Sequence, residues 1–116
     1  MKLKEVQEIL DAKILTENPC LEDEVNAACG CDLMSDVLAF VKDKALLLTG
    51  LMNPQVVRTA EMMDITTIVF VRGKMPDENL IKLAEMKDIV LMSTELPLYV
   101  SCGRLYKNGL IGKGGM

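Results

Sequence analysis

The 116-residue chain contains no histidine and no tryptophan, and only two phenylalanines and two tyrosines. Without histidine it lacks the side chain most often used as a general base or metal ligand near neutral pH, and no Ser–His or Cys–His nucleophile pair can form. So few aromatics leave little surface on which bases could stack. Positive charge is also short: the formal net charge is -4 and the pI about 4.8. A nucleic-acid binder needs a basic face to neutralise phosphates, so that class is not expected. No apolar run approaches the roughly 20 residues of a membrane-spanning helix. The N-terminus, Met1-Lys2-Leu3-Lys4-Glu5, lacks a signal peptide's apolar core. A cytoplasmic location is therefore expected.

Apolar residues make up 50% of the chain, enough for one domain with a substantial core. Three apolar runs, residues 45–49, 67–71 and 89–93, each begin 22 positions after the previous one. A strand that is apolar at every position must be covered on both faces. The segments between the runs have helical periodicity, so repeated strand–helix units are expected. The predicted fold is α/β, a three-layer α/β/α sandwich with a mainly parallel central sheet. It occupies residues 1–110, followed by a Gly-rich flexible tail at 111–116.

Local signals place the elements. Leu3, Val6, Ile9 and Leu10 mark a first helix, residues 12–16 a short strand, and residues 25–31 a strand of small side chains. Met34, Val37, Leu38 and Val41 form one stripe of a helix over residues 33–41, with Asp32 as its cap. Lys42-Asp43-Lys44 reads as a polar turn. Asn53-Pro54 is a helix start, since Asn caps a backbone N–H and Pro suits the first helical position. Pro76-Asp77-Glu78 starts another, with acids matched to the helix dipole. Thr94 is the expected cap of the last helix and Gly109 its stop.

Known catalytic signatures are missing. Around Gly112-Lys113 a phosphate-binding loop fails, because Lys107 replaces its first glycine and Gly114 its Ser/Thr. Neither G-x-G-x-x-G nor G-x-S-x-G occurs. What remains is a polar rim expected at the carboxyl ends of the strands, where open α/β sheets bind ligands. Its candidate residues are Asp32, Ser35 and Asp36; Thr49, Gly50 and Asn53; Arg72, Gly73 and Lys74; and Ser93 and Thr94. Helix N-termini there favour anions, and Arg72 and Lys74 add positive charge. Caps and turns alone would explain most of these residues. Asp32 and Asp36, four residues apart, are a weak Mg²⁺ signature, and no metal or cofactor is assigned.

Cys20, Cys29, Cys31 and Cys102 are expected as reduced, mostly core-packed thiols. Cys29 and Cys31 would face the same side of a strand, which keeps open a thiol-based redox or metal function.

Residues 31–38, together with Leu48-Thr49-Gly50, Ile68-Val69-Phe70-Val71-Arg72-Gly73, Ser93-Thr94 and Cys102-Gly103-Arg104-Leu105-Tyr106, resemble the DRTGG domain family. The resemblance runs from the first helix to Gly109. Similar domains are embedded in phosphotransacetylases and in pyrophosphatases with CBS domains, and the fold is similar to the N-terminal domain of HPr kinase. The chain departs from the motif that names the family: residues 51–55 replace its Asp-Arg pair, and Arg72-Gly73-Lys74 replaces its Thr-Gly-Gly turn. The resemblance implies a non-catalytic regulatory or assembly domain, often a homodimer, able to take a small anionic ligand such as a nucleotide. The alternative from the residues alone is a protein-interaction module whose Ala27, Ala28, Met62 and Met63 dock a partner.

Overall fold

The computed structural model describes residues 1–17, 19–40 and 44–111. Val41, Lys42 and Asp43 of the expected Lys42-Asp43-Lys44 turn, and most of the expected tail lie outside the described residues. The elements run α1 (Leu3–Leu10), β1 (Lys13–Ile14), β2 (Ala27–Gly30), α2 (Met34–Phe40), β3 (Ala45–Thr49), α3 (Pro54–Met62), β4 (Thr67–Phe70), α4 (Glu78–Met86), β5 (Val90–Ser93) and α5 (Leu98–Lys107).

The five strands form one sheet in the order β1-β5-β4-β3-β2. Neighbours from β2 to β5 pair in parallel, and the two-residue β1 pairs antiparallel with β5 through Lys13↔Ser93 and Ile14↔Met92. The three apolar runs are the inner strands, buried throughout β3 and β4. Alternate residues serve opposite layers. Leu47, Ile68, Phe70 and Leu91 pack with Met34, Val56, Val57, Ala60, Leu80 and Ala84 from α2, α3 and α4. Leu46, Leu48, Val69 and Met92 pack with Leu3, Val6, Leu10 and Leu105 from α1 and α5. The architecture is the expected α/β/α sandwich.

The helix stops differ from a glycine pattern. Asp11 takes positive φ directly after α1, and Asp64 and Asp88 do so two residues after the ends of α3 and α4, as does Lys44 ahead of β3. Aspartate tolerates this left-handed conformation better than most residues. The helix starts at Asn53 and Asp77 are as expected: Asn53 accepts from the Gln55 N–H at 3.0 Å and Asp77 from the Leu80 N–H at 2.9 Å. Gly109 follows the last helix with φ 107°.

Two expected caps are corrected. The Asp32 carboxylate turns across the sheet edge to the β3–α3 loop instead of capping α2. Thr94 lies four residues before α5 and does not cap it; its hydroxyl donates to the Leu10 carbonyl at 2.7 Å and accepts from the Leu96 N–H. Tying down the end of α1 outcompetes a cap for that hydroxyl. The residue at the N-cap of α5 is Pro97, whose side chain has no acceptor to offer.

Candidate functional site

All four parallel strands deliver their carboxyl ends to one edge of the sheet, and the candidate residues follow those ends. Asp32 leaves β2 and crosses to the next loop. Its Oδ1 accepts from the Gly50 N–H at 2.7 Å and the Thr49 hydroxyl at 3.0 Å. Thr49 Oγ1 in turn accepts from the Leu51 N–H at 3.1 Å. This carboxylate therefore clamps two adjacent loops, with the negative charge spread over two donors.

Beyond β4, Val71–Lys74 closes a tight turn. The Lys74 N–H donates to the Val71 carbonyl at 3.2 Å, and both central residues have positive φ, 58° at Arg72 and 68° at Gly73. That pattern suits glycine and strains a longer side chain, so Arg72 holds its conformation against a local preference. The turn is fixed to the loop that follows β5: Arg72 N–H donates to the Leu96 carbonyl at 2.9 Å and Gly73 N–H to the Thr94 carbonyl at 2.8 Å. Ser93 Oγ donates to the Lys74 carbonyl at 2.8 Å. The Arg72 guanidinium lies against Gly50, and the Glu95 carboxylate against Gly73; a methyl group at either glycine would collide with them. Among the described residues Arg72 enters no salt bridge.

The structure thus brings Asp32, Thr49, Gly50, Arg72, Gly73, Ser93 and Thr94 together. Asn53 lies at the same edge but spends its side chain on its own helix. Ser35 and Asp36 sit exposed in the first turn of α2, where Asp36 comes within 4.0 Å of the Cys31 sulfur. Lys74 contributes its backbone to the Ser93 contact. Two features escaped the sequence reading. One is Glu95 beside Gly73. The other is the start of α5, which has no side-chain cap and leaves the N–H groups of Leu98, Tyr99 and Val100 without partners among the described residues. Pro97 was the available signal, because proline favours helix starts yet cannot cap one.

The thiols do not form a reactive pair. Burial, reinforced by nearby Cys31, Cys102 and Asp36, pushes the Cys29 thiol up to about 11. Burial also raises Cys102. The Cys31 sulfur is occupied with the Leu33 backbone, donating to its carbonyl at 3.2 Å and accepting from its N–H at 3.3 Å. No group of three or more Cys, Asp or Glu among the described residues is placed to hold a metal ion. None of their helices is long and apolar enough to cross a membrane.

The fold defined here is an α/β sandwich with a polar carboxyl edge, and it has a solved counterpart. The chain is similar to the crystal structure of the CBS and DRTGG domains of the regulatory region of Clostridium perfringens pyrophosphatase, complexed with its activator diadenosine tetraphosphate. The TM-score is 0.69 at 12% identity, covering 90% of this chain and 45% of that one. The chain therefore spans under half the length of that neighbour, and the likeness establishes the fold. No family model matches the sequence. No curated protein matches it either.

Proposed function

We propose that this chain is a non-catalytic regulatory domain of the DRTGG type that self-associates and binds a phosphate-bearing ligand, such as a nucleotide, at the carboxyl edge of its sheet. One observation carries the ligand half: the uncapped N-terminus of α5 stands two residues from the Leu96 carbonyl that anchors Arg72, whose guanidinium has no carboxylate partner among the described residues. Unpaired N–H groups at the positive end of a helix, at the same sheet edge as a guanidinium without a carboxylate partner among the described residues, suit a phosphate. The neighbour's regulatory region, bound to a dinucleotide activator, supports the reading by analogy of fold.

The other helix starts at this edge are poorer sites. Asn53 already fills the end of α3, and Asp77 and Glu78 place negative charge at the end of α4. In the reading proposed here Asp32 organises the loops and does not touch the ligand. The raised Cys29 thiol weighs against the redox alternative, because the thiolate is the reactive form. Calorimetric titration with a panel of mono- and dinucleotides tests the proposal. Binding that weakens about tenfold in Arg72→Ala supports it. No heat with any phosphate ligand at millimolar concentration refutes the ligand half.

A further inference from the structure

Two glycines finish neighbouring strands at the carboxyl edge: Gly30 ends β2, and Gly50 stands just past β3. Neither takes positive φ, so the backbone at both positions admits an ordinary side chain. What each glycine supplies is space. A Cβ on Gly30 would meet the Cys102 sulfur and Leu98, both from the first turns of α5. The nearest neighbours of a Cβ on Gly50 would all be atoms of the Arg72 guanidinium.

Strand register says which way that space opens. Thr49 pairs with Phe70, which carries Gly50 opposite Val71. Val71 packs in the layer of α1 and α5, and residues paired across a ladder share a face. The missing side chain of Gly50 therefore lies on the face that α5 covers. Gly30 has the same orientation, since it pairs with Leu48 of that layer. Arg72 leaves its turn after β4 and lays its guanidinium over Gly50, at the end of β3. The first turns of α5 pack over Gly30, at the end of the next strand. The guanidinium and the start of α5 thus occupy adjacent strand ends on one face.

We propose that Gly50 is a positioning residue for anion binding: by carrying no side chain, it lets the Arg72 guanidinium lie across the end of β3, on the side where α5 begins. This rests on the ligand half of the function proposed above. Gly50 acts through Arg72 and not by direct contact, because its own N–H is committed to Asp32 Oδ1 at 2.7 Å. Alanine at this position keeps that N–H. Its methyl group meets only the far end of a flexible side chain, so the guanidinium moves and the backbone stays. The turn that carries Arg72 is held independently, by its amides on the Leu96 and Thr94 carbonyls.

Calorimetric titration with inorganic pyrophosphate of the wild type, Gly50→Ala, Arg72→Ala and the double variant tests the proposal. The Arg72 Nε–H resonance is followed by NMR in the free wild type and Gly50→Ala. Gly50→Ala should weaken binding about tenfold, as Arg72→Ala does, and the double variant should bind no more weakly than Arg72→Ala alone. The Arg72 resonance should move in free Gly50→Ala. The unfolding midpoint of that variant should stay at or slightly above wild type, because alanine restricts the unfolded chain. Binding that Arg72→Ala weakens and Gly50→Ala leaves intact overturns the role of Gly50 while the anion site stands. So does a double variant about a hundredfold weaker than wild type, in which the two losses add. A lowered midpoint in Gly50→Ala makes the glycine structural and also overturns the role. A wild type with no affinity for pyrophosphate overturns the anion site and this role with it.

Discussion

The two ends of this sheet have opposite characters. At the carboxyl end, Asp32 is consumed by two hydrogen bonds, while the Arg72 guanidinium and the amides that open α5 have no partners among the described residues. At the amino end lies a cleft of about 200 Å³, lined by Thr16, Glu17, Cys20, Asp23, Glu85, Asp88, Ile89 and other residues. Four carboxylates line it, and the Glu17 N–H donates to Glu85 Oε2 at 2.7 Å. The two ends therefore differ in chemistry: the acidic hollow repels anions, and the carboxyl end offers donors to them.

The largest expected effect removes what holds the two ends apart. Phe70 is fully buried in the central strand, and Phe70→Ala should cost about 3–5 kcal/mol in denaturant unfolding. A loss under about 1 kcal/mol would mean that the strand is not central. Next comes a contrast between the ends. Asp32→Ala strands a hydroxyl and an amide at the carboxyl end and should cost about 2 kcal/mol. Glu85→Ala frees only an exposed amide at the amino end, and should cost about 0.5 kcal/mol. Equal costs would erase the distinction.

A third prediction sharpens it through chemistry. Arg72→Ala should weaken phosphate binding while leaving the unfolding midpoint near wild type, since its guanidinium holds no ion pair among the described residues. A large stability loss would make Arg72 structural. The smallest effect is in pH. Cys29 ionises at about 11 in the fold, against an ordinary 9.0. The unfolded chain therefore releases this proton first as pH rises. Stability from the buried thiol is complete below pH 9.0 and drains away toward pH 11, a slope that Cys29→Ala should flatten in alkaline unfolding curves.

Most of the scaffold was legible because burial on both faces leaves an unmistakable mark. Strands such as Leu46-Leu47-Leu48 admit no polar residue, and their even spacing fixes the strand–helix alternation. Asn53 and Asp77 were readable for a second reason: a cap bonds residues two or three positions away, within reach of a local pattern. Asp32 and Thr94 were not, because their hydrogen-bond partners lie 18 and 84 positions away, and only the assembled sheet brings them close. The uncapped start of α5 is hidden for the same reason, since a local pattern assigns its cap to Thr94, whose hydroxyl bonds Leu10 and Leu96 instead. The aspartate stops at Asp11, Asp64 and Asp88 carry no strong local signal, because aspartate is common at starts and turns alike.

The central claim is that the carboxyl end of the sheet, through Arg72 and the first amides of α5, is the anion-binding end. The most direct measurement is a two-dimensional NMR titration of the isotope-labelled chain with inorganic pyrophosphate. The account predicts shifts concentrated at the Leu98, Tyr99 and Val100 amides and the Arg72 side chain. Shifts at Thr16, Glu17 and Asp88 instead, or no shifts anywhere, would contradict it.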